Sequence, residues 1–236
     1  AAGCGEKLAP NTVASPEDVE GKVIGAMGGS AAAFIAAQYG QVRQFDDMDI
    51  MLESLRAGAL DCVVADSLTR RKNPKRVKSL RDPLAEYVFA FAVARENGDL
   101  KRAINAAIAN MRERGELSRI ERAVSVGDYE YVPPEGRGEA RATLLAAVRD
   151  EFAPYGYVNA EGECAGLDIA VARTVCGELG VDVEFVVVEP DEMIDTVRYG
   201  KADLAIGGLY ENERDAGLVE YSDSYALASM EVLVRG

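Results

Sequence analysis

Apolar positions follow two periods along this chain, and the two take turns. Met48, Met51, Leu52 and Leu55 stand at i, i+3, i+4 and i+7, the spacing of one helix face, and Gly58 ends the pattern just before the apolar run DCVVAD at residues 61–66. Leu100, Ile104, Ile108 and Met111 mark a long helix over DLKRAINAAIANMRERG, and Leu167, Val171, Val175 and Leu179 mark another that Gly180 stops. Between the helices stand short apolar runs that read as strands: KVIGAM, QVRQF, FAFAVAR, ATLLAAV, VDVEFVVV and the closing MEVLVRG. Gly28, Gly29 and Ser30 make a tight turn after the first of these, with Ser30 placed to cap the helix AAAFIAAQYG. Strands alternating with helices predict an α/β fold.

The pattern occurs twice. MLESLRAGALD at residues 51–61 and MIDTVRYGKAD at residues 193–203 share Met, Arg, Gly and Asp at one spacing, since 193 − 51 and 203 − 61 both give 142. Each copy is a helix stopped by glycine, a turn and an apolar strand, so the strand ends at Asp66 and Gly208 correspond. Two similar lobes with a ligand cleft between them are expected, because ligands on open α/β sheets gather at the carboxyl ends of strands. From Ser125 to Arg141 the periodicity dissolves into SVGDYEYVPPEGRGEAR, whose adjacent prolines and glycines mark a linker. The expected organisation is a tail over residues 1–14, a lobe over 15–94, closing helices over 95–124, the linker over 125–141 and a second lobe over 142–236.

Charge narrows the partners. With 26 Lys and Arg against 40 Asp and Glu, the net charge of −14 opposes a phosphate backbone. The one basic cluster, Arg70, Arg71, Lys72, Lys75, Arg76 and Lys78, is local, so no nucleic-acid partner is expected. The chain has no histidine, which removes Ser-His and Cys-His nucleophile pairs and His-containing zinc sites; no metal and no cofactor is expected. No apolar run reaches the ~20 residues of a membrane span. Cys4, Cys62, Cys164 and Cys176 show no C-x-x-C spacing. Cys62 reads as a buried small hydrophobe, while Cys164 and Cys176 form a candidate disulfide if the segment before the second-lobe helix packs onto it.

Longer stretches carry a family resemblance. APYGYVNAEGECAGLDIAVARTVCGELGVDVEF and DTVRYGKADLAIGGLYENERDAGLVEYSDSYA resemble the first lobe of the extracellular solute-binding proteins, family 3, which serve ABC transporters for polar amino acids. SPEDVEGKVIGAMGGSAAA, SLRAGALDCVVAD and NGDLKRAINAAIANMRERGELSRI resemble the family's second lobe and closing helices, so the resemblance covers about residues 15–122 and 142–236. It implies a two-lobed, periplasmic-binding-protein-like (type II) α/β fold with the lobe order circularly permuted about the linker, an order that a fragment of a tandem array would also show. It further implies a monomeric, extracytoplasmic, non-enzymatic protein that clamps a free amino acid between its lobes and delivers it to an ABC transporter permease. AAGC at residues 1–4 resembles the end of a bacterial lipobox, which would make Cys4 a lipid anchor and the only attachment to a membrane; a stray N-terminal cysteine is the other reading.

A free amino acid is a zwitterion, so its site needs a cation and donors for the carboxylate and an anion for the ammonium. By the resemblance, Arg214 in YENER matches the arginine that clamps the carboxylate, and Asp66 matches the acceptor of the ammonium. Ser30, with the backbone amides of Gly29 and Ala31, matches the second carboxylate contact. Gly208 would leave its backbone open to the ligand, and Phe152 would wall the pocket, with Tyr155 and Tyr157 as wall or core. Tyr210 lies in the loop that leads to Arg214; that loop is one residue shorter than in the family and has Tyr210, Glu211 and Asn212 without the customary threonine. Pro190 replaces an aromatic of the opposite wall, and Ala170 replaces the second Asp of F-D-x-D. Arg149 stands where glutamate- and aspartate-binding members carry an arginine, which implies an acidic ligand unless Glu189 neutralises it. Outside the family frame, Arg214 and Arg149 read as surface charges and Asp66 and Ser30 as caps. The rival functions on this fold are a dehydratase of the cyclohexadienyl or arogenate type with Asp66 or Glu211 as general acid, a ligand-sensing ectodomain, and a scaffold that binds nothing.

Overall fold

The computed structural model describes residues 11–68, 77–127, 141–212 and 214–236. Cys4, the basic residues from Arg70 to Arg76 and the linker interior lie outside the described residues. The chain divides into two compact units: unit 1 is Ala1–Glu86 with Ser229–Gly236, and unit 2 is Tyr87–Ala228.

Unit 1 opens with a capping box, in which Ser15 and Asp18 satisfy each other's backbone at a single 3-10 turn. There follow β1 (Val23–Met27), α1 (Ala31–Ala36), β2 (Gln41–Phe45), α2 (Met48–Arg56), β3 (Cys62–Asp66), β4 (Val77–Ser79) and the start of β5 (Ala85–Phe89), whose residues from Tyr87 onward fall in unit 2. The sheet runs β2-β1-β3, all parallel, and is then closed by the C-terminal strand of the chain, residues 226–235, which lies antiparallel to β3 and β4. The periodic face of α2 buries Met51, Leu52 and Leu55 against Leu60, Val63, Ala65 and Leu233, which is why apolar residues recur at that spacing. Every residue of β3 is buried, and burial pushes the Cys62 thiol up to about 12, so it packs as an inert hydrophobe.

Unit 2 contains β6 (Ala92–Ala94), α3 (Gly98–Glu113), α4 (Glu116–Ser125), β7 (Thr143–Val148), β8 (Tyr157–Val158), β9 (Cys164–Ala165), α5 (Leu167–Leu179), β10 (Asp182–Val187), α6 (Met193–Arg198), β11 (Leu204–Ala205), β12 (Val219–Tyr221) and the start of β13 (Ala226–Arg235). Its sheet runs β10-β7-β11-β6-β12, with β10, β7 and β11 parallel and β6 antiparallel to β11 and β12. That is the arrangement of unit 1 over again, with β7, β10 and β11 in the places of β1, β2 and β3. Met193 and Val197 of α6 pack with Ala147, Ala205 and Tyr221.

The repeated residues hold equivalent places at atomic scale. Gly58 and Gly200 take φ of 78° and 68°, the left-handed conformation that ends each helix. The amides behind them bond back alike, Ala59 to the Ser54 carbonyl at 3.0 Å and Lys201 to the Thr196 carbonyl at 2.9 Å. Asp61 donates its amide to the Val23 carbonyl at 2.9 Å and accepts the Val23 amide on Oδ2 at 2.9 Å. Asp203 does the same with Leu145, at 2.9 and 2.8 Å. The recurring aspartate thus clasps the middle strand of the parallel trio in each unit, β1 at Val23 and β7 at Leu145, a local backbone task that a carboxylate performs with one oxygen.

Three expectations need correcting. The division into units does not follow the linker, because β6 pairs with β11 and β12 while the end of β13 pairs with β3 and β4. FAFAVAR is not one strand: β5 ends at Phe89, and β6 begins at Ala92 in the other sheet. Cys164 and Cys176 are free thiols. Cys164 sits in β9 before the helix, whereas Cys176 lies inside α5, roughly 14 Å of helical rise beyond Leu167, so the two do not face one another. Among the described residues, no helix is long and apolar enough to cross a membrane, and no cluster suited to a metal ion occurs.

Candidate functional site

In unit 1 the strand end carries a carboxylate. Asp66, the last residue of β3, is 1% exposed, and its Oδ1 accepts the Leu68 amide at 2.7 Å, an Asx turn that holds the chain as it leaves the sheet. A carboxylate so shielded attracts a cation more strongly than one in water. At the end of β1, Gly29 adopts φ 63° and Ser30 caps α1. The Ser30 hydroxyl donates to the Met27 carbonyl at 2.6 Å and accepts from the Ala33 amide at 3.1 Å. Its capping role is therefore structural fact, and Ala31, buried as the first residue of α1, follows directly from it.

In unit 2 the corresponding strand end carries glycines packed against a buried polar group. Gly208 has φ 67°, and a Cβ there would stand 2.1 Å from Phe152 Cε1, so only glycine lets the turn meet the ring. A Cβ on Gly207 would meet Arg149 Cγ at 3.0 Å and Met193 Cε at 2.8 Å. Phe152 is 3% exposed and carries the Arg149 guanidinium 4.2 Å above its ring centre. Asp168, in the first turn of α5, is fully buried; its Oδ2 accepts the Gly208 amide at 2.9 Å and its Oδ1 accepts the Tyr225 hydroxyl at 2.7 Å. Burial raises the Asp168 carboxyl to about 6, against the lowering pull of those two hydrogen bonds and of the Arg149 charge. Burial in turn lowers Arg149, with Asp168 and then Asp150 holding its charge in place.

This geometry revises two expectations. The Gly208 amide is engaged by Asp168 and does not stand open. Arg149 is 9% exposed, and the carboxylates of Asp168 and Asp150 act on its charge, so it is a half-caged cation and no strand-end surface charge. Tyr155 is fully buried beside Phe89 and belongs to the core.

Arg214 is exposed, on a loop that Asn212 organises. Asn212 Oδ1 accepts the amides of Arg214 and Asp215 at 3.0 and 3.2 Å, and its Nδ2 donates to the Tyr210 carbonyl at 3.0 Å and to Asp215 Oδ2 at 2.9 Å. Tyr221 adds its hydroxyl to Asp215 at 3.2 Å. Asn212 thus fixes the backbone of the loop that lacks the threonine. Tyr210 is 39% exposed and packs its ring 4.9 Å from that of Tyr87. A separate cavity of about 410 Å³ in unit 2 is lined by Tyr157, Asn159, Glu163, Cys164, Ile169 and Arg173 among others, and Arg149, Phe152, Gly208 and Arg214 are not in its wall.

Sequence reasoning missed Asp168, Tyr225 and Asn212. Asp168 had a visible signal, a carboxylate inside the apolar run LDIAVA, where only a compensated charge is tolerated. Tyr225 closes the YSDSY run inside a stretch that carries the family resemblance, a signal that marked the segment without giving the residue a role.

Two α/β units with one strand order define a periplasmic-binding-protein-like fold. A phosphate-binding protein of a phosphate ABC transporter from Streptococcus pneumoniae TIGR4 shares that fold with a TM-score of 0.54 at 12% identity, over 92% of this chain and 89% of that one. Residues 144–236 match the bacterial extracellular solute-binding proteins, family 3. An ancestral arginine-binding protein bound to arginine is 32% identical over 33% of this chain and 34% of its own, with a TM-score of 0.31. An ancestral cyclohexadienyl dehydratase is 31% identical over 31% of each chain, with a TM-score of 0.30. The chain spans about a third of the length of these two proteins. None of the curated proteins matches it.

Proposed function

We propose that this protein is an extracytoplasmic, non-enzymatic binding protein for a free amino acid, which it hands to the permease of an ABC transporter. The observation that carries the reading is the family 3 match of residues 144–236, which include Arg149, Phe152, Gly208 and Arg214. Two features support it: a shielded carboxylate, Asp66, at the strand end of unit 1, and an exposed guanidinium, Arg214, on a loop braced by Asn212. In this reading Asp66 takes the ammonium and Arg214 the carboxylate, in the fork geometry suited to it. The amides of Gly29 and Ala31, next to the Ser30 cap, supply further donors, and Phe152 and Tyr210 supply apolar surface. A glutamate or aspartate ligand is the finer form of the reading, and it rests on the buried cation Arg149. The order of the two lobes is read as permuted about residues 125–141, which accords with a family match confined to the end of the chain.

Thermal unfolding against the twenty amino acids tests this directly. A ligand present at ~100 times its dissociation constant adds ~2.7 kcal/mol to stability. One amino acid, or a small chemical class of them, is expected to raise the melting temperature. Turnover of arogenate or prephenate by the purified protein would instead establish the dehydratase.

A further inference from the structure

We propose that the cavity of about 410 Å³ in unit 2 is a small-molecule site in its own right, one that takes a monocarboxylate with an apolar body. Its walls come from three elements of that unit. Gly166, Ile169, Ala170 and Arg173 stand at i, i+3, i+4 and i+7, so they form one stripe that begins at the N-cap of α5. The hairpin of β8 and β9 supplies a second wall, with Tyr157 paired to Ala165 and Val158 to Cys164. Val124, near the end of α4, supplies a third. The volume falls in the range of small-molecule pockets, about 300–1,000 Å³.

The polar groups on these walls are mostly donors. Asn159 Oδ1 accepts the Glu161 and Glu163 amides at 3.1 and 2.8 Å, which ties the hairpin turn and fixes which way the side-chain amide faces. Its Nδ2 is left to donate. Arg173 forms no ion pair among the described residues, and its guanidinium lies 5.6 Å from the Phe185 ring centre. Its charge acts on the Cys164 thiol, which burial raises, Arg173 lowers and Asp150 raises. The Tyr157 hydroxyl is a further donor. A guanidinium fork flanked by amide and hydroxyl donors matches a carboxylate, while Val124, Ile169 and Ala170 offer surface to an apolar body. Glu163, the carboxylate in the wall, is exposed and opposes a second negative charge on the ligand. None of Arg149, Phe152, Gly208 and Arg214 lines this cavity, so the site goes beyond the amino-acid reading and does not depend on it.

Cys164 stands in the wall and reports on occupancy. Alkylation of the whole chain by iodoacetamide is read at Cys164 by peptide mass spectrometry, with benzoate, acetate or inorganic phosphate present. A ligand at ~10 times its dissociation constant slows the reaction about tenfold, because only the empty site reacts. Benzoate up to about 10 mM therefore registers any dissociation constant of about 1 mM or tighter. Saturable protection by benzoate is expected, with less from acetate, which lacks the apolar body, and none from phosphate. Arg173→Gln and Asn159→Asp are each expected to lose that protection, measured against their own benzoate-free rates. Asn159→Asp keeps the acceptor for both turn amides and turns the free donor into an acceptor, so it decides the matter even if Arg173→Gln does not fold. No protection by benzoate, equal protection by acetate or phosphate, or full protection in either folded variant overturns the proposal. Failure of all twenty amino acids to bind would sink the proposed function and leave this site to be decided by Cys164.

Discussion

Units 1 and 2 share one scaffold and end it differently. Both close a helix on a left-handed glycine, and both use the next aspartate to clasp the middle strand of the parallel trio, Asp61 to Val23 and Asp203 to Leu145. At the strand end the resemblance stops. Unit 1 presents Asp66 on an Asx turn beside a six-residue helix capped by Ser30, whereas unit 2 presents Gly208 backed by Phe152, Arg149 and Asp168. What recurs is therefore structural, and what differs is where ligand chemistry is to be sought. The family 3 match covers residues 144–236, of which 144–228 lie in unit 2 and the rest in the strand that closes the sheet of unit 1.

Several substitutions would break or sharpen this contrast. The largest effect is expected for Asp66→Ala: leaving an ammonium without its partner costs about 2–5 kcal/mol, or roughly 30-fold to several thousand-fold in the dissociation constant measured by calorimetry. Next is Gly208→Ala, which combines overpacking against Phe152 at 2.1 Å with a left-handed alanine, about 3 kcal/mol of stability by urea unfolding. A comparable effect comes from pH. Asp168 titrates near about 6 in the folded chain against an ordinary 3.8, so its contribution to stability is fully present below 3.8 and is lost as pH rises through about 6. Relative to Asp168→Asn, the wild type should therefore gain up to about 3 kcal/mol between pH 7.5 and 3.5, read from denaturation at each pH.

Smaller effects test the shared scaffold. Asp61→Ala and Asp203→Ala each orphan one strand amide and should cost about 1–3 kcal/mol, equal within error; unequal losses would mean that the repeat is not mechanically equivalent. Gly200→Ala, which points into open space, should cost only about 1–2 kcal/mol for its backbone conformation, well short of Gly208→Ala.

The scaffold was legible in the sequence because it rests on local periodicity and on a repeated Gly and Asp at fixed spacing. Helices α2, α3 and α5 fall where their apolar faces predict them, and Ser30 caps α1 as its residue type and position require. The break between β5 and β6 was not legible, since an unbroken apolar run does not say which sheet each half joins. Nor was the environment of Arg149. Its neighbours Asp168 and Phe152 come from separate parts of the chain, and the distinction between a surface arginine and a caged one is made by packing alone. Asn212 was legible only as a missing threonine, because its bracing role depends on the turn it creates.

The most direct measurement is calorimetric titration of the wild type and of Asp66→Asn with whichever amino acid most raises the melting temperature. The account predicts one site per chain and at least a tenfold loss in the variant, about 1.4 kcal/mol or more. Equal affinities in the two proteins would contradict the assignment of the anion to unit 1, and heat-silent titrations of the wild type with every amino acid would contradict the amino-acid ligand itself.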